Sequence, residues 1–268
     1  MTAHDPLPPS SAIQEQVHGF LSQQRRHPCL LVPFQDPVPY RIGWENQQRL
    51  HLDRVSGTGP DAVMFLVHQP VYTMGRGTKP AHLGAGVAAL KESGATIEPV
   101  NRGGSITYHG PGQLVSYPIL KLVRFASGPK EYVRLLEEVL IGTLSWWGIE
   151  GFRVNRAPGV WVRLDGEEAK IASIGVRVDH GVTLHGFALN VDLDLAPFSR
   201  IMPCGLEQCR VTSIAECLQS RVQLGAVTQR LTEVFSNRCN IAWIGSSPDS
   251  MTLGREVGGS TASAVKEA

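Results

Sequence analysis

Four runs between residues 152 and 191, FRVN, GVWVRLD, AKIASIGVRV and VTLHGFALNV, constrain this chain more than any other stretch. Each is rich in β-branched and apolar residues, and NRAPG, DGE and DHG separate them. Gly, Asn, Asp and Pro are the residues that tight reversals require, so the segment reads as an antiparallel meander. Around it, helical spacing is predicted over 42–55, 81–93, 129–147, 213–220 and 225–237, and strands over 62–68 and 113–123. Residues 69–77 read as a loop, and 96–101 lead into the glycine-rich stretch that follows. In the clearest helix Tyr132, Leu135, Leu136, Val139, Leu140 and Leu144 recur at three and four, and Gly148 supplies the stop. Its Trp146 and Trp147 read as core residues. Helices and strands are mixed without regular alternation, which argues against a Rossmann domain. The expected class is α+β (mixed α/β), a mostly antiparallel sheet with flanking helices.

Composition excludes several functions. The chain has 268 residues, 42% of them hydrophobic and 18% charged, enough for a substantial core. A formal net charge of +1 argues against nucleic-acid binding through bulk positive charge, while leaving room for a local basic patch that meets an acidic protein. The longest apolar run noted, Ala62 to Val67, is far short of the roughly 20 residues of a membrane helix. The N-terminus shows neither a basic nor an apolar signal region, so a cytoplasmic location is expected. The expected organisation is a flexible extension over 1–26, one catalytic domain over 27–244 and a small, polar tail over 245–268. Five cysteines, Cys29, Cys204, Cys209, Cys217 and Cys239, stand at irregular spacings that suit neither a disulfide framework nor a structural zinc site.

Three features carry chemistry. The first is RGGSITYHGPGQLVSYPIL, residues 102–120, whose glycines let a ligand approach the main chain closely. There Arg102, Tyr108 and His109 offer a cation, an amphipathic ring and an imidazole; an ordinary glycine-punctuated hairpin is the plainer reading. The second is Lys170. In a regular strand it shares a face with Ala172, Ile174, Val176 and Val178, opposite Ile171, Ser173, Gly175 and Arg177. A lysine on an apolar face either snorkels from the strand end or enters a dehydrated pocket, where its neutral form is favoured and acts as a general base. The third is Cys204, held in RIMPCGL between a proline and a glycine that together present its sulfur at a bend. A free thiol is only a few per cent ionised near neutrality, so a base or cation must raise the thiolate fraction. Cys217 sits in a helical setting suited to burial.

Five segments in order, HQPVYTMGRG (68–77), RGGSITYHGPGQLVSYP (102–118), KIASIGVRV (170–178), HGFALNV (185–191) and PFSRIMPCG (197–205), closely resemble lipoyl(octanoyl) transferases. The resemblance spans roughly residues 40–240 and leaves both tails unaccounted for. It implies a fold similar to biotin and lipoate protein ligases, and transfer of an octanoyl group from acyl carrier protein to a lysine of a lipoyl domain. It makes Cys204 the acyl-thioester nucleophile and Lys170 its proton shuttle. It assigns Arg102, Gly103, Gly104, Ser105, Ile106, Thr107, Tyr108 and His109, then Ser173, Ile174 and Gly175, then Gly186, Phe187 and Ala188, to the substrate pocket. Its implied partners are octanoyl-acyl carrier protein as donor, and as acceptors the lipoyl domains of 2-oxoacid dehydrogenase complexes and the glycine-cleavage H protein. A monomer without metal or other cofactor is expected. His109 and His185 are read either as satisfied structural histidines or as oxyanion donors. Two other readings stay open: an ATP-dependent lipoate or biotin ligase on the same fold, and a non-catalytic acyl-carrier binding module. A cysteine hydrolase fits less well, because it normally pairs its thiol with histidine.

Overall fold

In the computed structural model, which describes residues 26–203 and 209–245, the meander supplies four strands of a nine-stranded sheet. Its strands β7 (Phe152–Val154), β8 (Ala157–Leu164), β9 (Glu167–Asp179) and β10 (Val182–Asn190) are antiparallel neighbours, as the turn residues predicted. Beside β10 runs β6 (Gln113–Ile119), then β2 (Asp61–Leu66), β1 (His27–Pro33) and β12 (Ile241–Ile244) at the far edge. Most pairings are antiparallel, but β12, β1 and β2 are parallel. The helix α1 (Tyr40–Ser56), which ends on Gly57 at φ 80°, connects β1 to β2. This βαβ unit escaped the sequence reading because β1 was not recognised as a strand.

A smaller sheet, ordered β4 (Thr96–Pro99), β3 (Val71–Met74) and β5 (Ile106–His109), stands apart from the large one. Its middle strand lies inside the predicted loop 69–77; Val71, Tyr72 and Thr73 are buried between two neighbours, which the short, turn-flanked run did not reveal. The predicted helix over 81–93 is also divided. Gly84 and Gly86 take φ 57° and 94°, so a 3-10 turn (Pro80–Leu83) precedes a separate helix α2 (Val87–Glu92). The strand predicted over 113–123 stops at Ile119, and Leu122–Arg124 form a 3-10 turn.

The main core lies on one face of the large sheet, under α3 (Pro129–Leu144) and α5 (Leu224–Arg238). Tyr132, Leu136, Val139, Leu140 and Leu144 of α3 are inaccessible to solvent, as their spacing predicted. Each such side chain contributes about 1.5–3 kcal/mol of burial. Trp147 packs against this core, but Trp146 is 65% exposed and lies under the guanidinium of Arg230, so only one of the two tryptophans fills the interior. On the opposite face α1 covers β2, β6 and β10, and the small sheet forms a third cluster with Leu90, Phe198 and Ile201. A short strand β11 (Arg210–Val211) adds to β9, and Ser213 accepts from the Glu216 N–H to start α4 (Ile214–Leu218). The expected tails fall outside the described residues except for Arg26 and Gly245. Among the described residues no helix is long and apolar enough to cross a membrane.

Candidate active site

Lys170 is 3% exposed, and a β-bulge decides which way it faces. Val160 of β8 pairs with Ala172 while the next residue, Trp161, pairs with Lys170, leaving Ile171 as the extra residue on β9. Alternation is therefore reset. Ala169, Ile171 and Ala172 belong to the main core and Ile174 and Val176 pack against it, the last two also bordering the cavity that Lys170, Ser173 and Gly175 line. The expected grouping of Lys170 with Ala172, Ile174, Val176 and Val178 is thus corrected, because the phase it assumed breaks at the bulge. The Lys170 Nζ lies 5.1 Å from the Trp161 ring centroid. Its stem passes Gly159, at φ 123°, where a Cβ would come within 2.8 Å of the Lys170 Cε. On its other side the Lys170 carbonyl accepts from Thr212 N–H, and Val211 pairs with Lys170 in register.

The cavity, of about 240 Å³, lies between β5 of the small sheet and β6, β9 and β10 of the large one. Gly103 N–H donates to the Val176 carbonyl and pins the glycine-rich loop across β9. A Cβ on Gly175 would come within 3.0 Å of the Gly103 carbonyl oxygen and obstruct this approach, and one on Gly186 would fall 2.1 Å from the Ser116 carbonyl oxygen of the neighbouring β6. Arg102 is spent on the loop itself, donating to the carbonyls of Gly103, Ser105 and Thr73 and to Thr73 Oγ1. Ile174, Val176, Phe187 and Val133 give the cavity an apolar side, while Arg102, Arg156 and Lys170 are its basic residues; among the described residues no carboxylate lines it.

Three buried histidines cluster here: His109 and His185 line the cavity, and the His68 ring centroid lies 5.8 Å from that of His109. His68 is lowered to about 4, His109 to about 3 and His185 to about 3, in each case chiefly by desolvation. The nearby Arg102 charge lowers His109 and His185 further. All three are hydrogen-bonded: His68 to Tyr117 Oη and the Val38 carbonyl, His109 to Thr73 Oγ1 and Gln113 Oε1, His185 to Asn101 Oδ1. His185 also stacks on Trp44. These are the contacts of satisfied structural histidines.

Of the predicted pocket residues, Arg102, Gly103, Gly104, Ser105, Thr107, His109, Lys170, Ser173, Ile174, Gly175, Gly186, Phe187 and Ala188 line the one cavity. Ile106 and Tyr108 are not among its walls; alternation along β5 sends them into the third cluster, where Tyr108 meets Tyr72 and Phe198. Sequence reasoning missed Tyr40, Val115, Tyr117, Arg156 and Pro158. Val115 and Tyr117 share a face of β6 that alternation would have grouped, whereas Tyr40 precedes the predicted start of its helix.

Cys204 lies outside the described residues, which stop at Pro203 and resume at Cys209. Both flanks of this gap are anchored near the cavity. Before it, Met202 N–H donates to the His82 carbonyl, and His82 Nδ1 is 2.6 Å from Oγ of the cavity residue Ser105. After it, β11 pairs with Ala169 and Lys170. Cys29 and Cys239 are buried, and burial raises both thiols, Cys239 to about 12; that of Cys217 is raised as well.

Residues 39–236 match the family model of the lipoyl protein ligase A/B catalytic domain. The chain belongs to this family. Among curated relatives, the octanoyltransferase of Thermobifida fusca is 44% identical over 202 residues, covering 73% of this chain and 82% of the relative. That of Chloroflexus aggregans is 46% identical over 195 residues, 72% and 87% of the two chains. With such relatives the family member described here is an acyltransferase. Among solved structures, a bipartite lipoate protein ligase of Thermoplasma acidophilum, studied with its E2 lipoyl domain, superimposes with a TM-score of 0.61 at 17% identity. It covers 85% of this chain and 90% of its own. A lipoate-protein ligase A bound with ATP gives 0.59 at 16% identity, covering 85% and 92%. These two likenesses concern the fold.

Proposed function

We propose that the enzyme moves an octanoyl group from octanoyl-acyl carrier protein to a lysine of a lipoyl domain, through a thioester on Cys204. The observation that carries this reading is the buried Lys170 in the cavity wall, its main chain paired with the strand that follows the Cys204 segment. The Lys170 amine takes the proton of the Cys204 thiol, and the thiolate adds to the donor's carbonyl carbon. The tetrahedral oxyanion collapses, the bond to the pantetheine sulfur breaks, and that sulfur takes the proton back from Lys170. In the second half the acceptor's ε-nitrogen adds to acyl-Cys204 and gives a proton to Lys170. The bond to Cys204 then breaks, its sulfur recovers the proton, and an amide results.

Thioester to amide is downhill, so the transfer needs no nucleotide. The apolar side formed by Ile174, Val176, Phe187 and Val133 suits the alkyl chain, and the glycine backbone of the 102–104 loop suits close approach of a linear arm. The acceptors are the lipoyl domains of 2-oxoacid dehydrogenase complexes and the glycine-cleavage H protein, and the enzyme acts as a monomer. One alternative on the same fold is an ATP-dependent ligation. Incubation with octanoyl carrier protein and apo lipoyl domain separates the two. Without nucleotide, the acceptor gains one octanoyl mass as the donor loses it; transfer only when ATP is added would establish the ligase instead.

A further inference from the structure

A line of buried hydrogen bonds runs from the glycine-rich loop to the strand beside Lys170, and its direction is fixed at every link. Arg102 can only donate, and its Nη2 is 2.8 Å from Thr73 Oγ1. The Thr73 hydroxyl hydrogen is therefore available to His109 Nε2, 3.2 Å away. With Nε2 accepting, the neutral His109 carries its proton on Nδ1 and donates to Gln113 Oε1 at 2.7 Å. That fixes the Gln113 amide so that its Nε2 donates to Asn190 Oδ1 at 2.9 Å and to the Tyr108 carbonyl. Asn190 in turn donates through Nδ2 to the Thr212 carbonyl at 2.8 Å. Thr73, His109, Gln113, Asn190 and Thr212 are all buried.

The far end of this line lies where the sheet changes partners. Pairing of β10 with β9 ends at Leu189 opposite Ala172, one residue before Asn190. From there β11 takes over beside Ala169 and Lys170, and the Thr212 N–H donates to the Lys170 carbonyl. Asn190 thus holds, through Thr212, the main chain that leads out of the Cys204 segment and touches Lys170. Gln113 holds Asn190.

We propose that Asn190 and Gln113 are positioning residues for acyl transfer. They set where β11 sits against Lys170, and so the position of the residue whose amine the proposed chemistry uses. The inference rests on the proposed roles of Lys170 and Cys204. A misplacement of about 1 Å in a reacting group can cost about a hundredfold in rate. Loss of the Asn190 donor should therefore lower the rate of enzyme acylation by about tenfold to a hundredfold. Affinity for the donor, which is read at the cavity walls, should change much less.

The test measures single-turnover acylation by octanoyl carrier protein, resolving maximal rate from half-saturating donor concentration, for Asn190→Ala and Gln113→Met. Each variant's melting temperature is recorded as well. Val234→Ala, a truncation in the α5 core away from the cavity, serves as a comparison for general loss of stability. The inference predicts a lower maximal rate at nearly constant half-saturation in both variants. It also predicts that combining them costs little more than either alone, since they form one line. An unchanged maximal rate in a folded variant would overturn it, as would a loss that Val234→Ala reproduces at equal melting temperature. If Asn190→Ala does not fold, Gln113→Met decides at the preceding link. Activity retained by Cys204→Ala would instead refute the underlying chemical reading, a distinguishable outcome.

Discussion

Gly159 leaves room for the course of Lys170, since a Cβ there would come within 2.8 Å of the lysine Cε. At φ 123° it takes a backbone conformation that side chains resist, and a Cβ there would fall 2.3 Å from the Ala172 carbonyl oxygen as well as against the lysine stem. Gly159→Ala should destabilise the enzyme by about 1–3 kcal/mol and displace Lys170. A lowered melting temperature together with loss of acyl transfer is the expected result; unchanged turnover would show that Lys170 tolerates the displacement. At this scale the sequence was informative about identity but not orientation. Lys170 stood out because a lysine interrupts an apolar strand, yet no residue type announces the extra Ile171 that turns it away from Ala172. Ile106 and Tyr108 show the converse: their motif was legible, but strand alternation divides the motif between two sides of a sheet.

Between elements, Asp61 ties three segments together. Its carboxylate is fully buried at the start of β2 and receives Arg54 from the last turn of α1, Arg124 from the 3-10 turn, and the Lys121 N–H. Truncation would leave Arg54 buried without its partner, so Asp61→Ala should cost about 3–5 kcal/mol. Equilibrium denaturation checks this, with a fall in midpoint at constant slope expected. The meander and α3 were legible because turn residues and apolar periodicity agree with the tertiary environment. β1, β3, β5 and β12 were not, because strands of four to seven residues owe their state to neighbours distant in sequence. β1, for example, pairs with β12 at the other end of the described chain.

Over the whole molecule, the cluster of neutral histidines links pH to stability. The unfolded chain protonates His68, His109 and His185 as pH falls through about 6.5, whereas the folded chain does so only near 4 for His68 and near 3 for the other two. Between those limits the unfolded state binds more protons, so stability falls with falling pH, each histidine contributing a slope of up to about 1.4 kcal/mol per pH unit. Above about 6.5 these groups add no slope. Melting temperature should therefore drop from pH 7 to pH 5, and less steeply in His109→Gln; equal slopes would mean that His109 titrates normally in the fold. The family is one of acyltransferases, and the central claim of the proposed function is a covalent one. Intact-mass analysis of the enzyme quenched after mixing with octanoyl carrier protein, followed by peptide mapping, tests it most directly. One octanoyl group should appear on the peptide bearing Cys204, vanish in Cys204→Ala and form far more slowly in Lys170→Met. An adduct that persists in Cys204→Ala, or steady turnover with no adduct at all, would contradict the account.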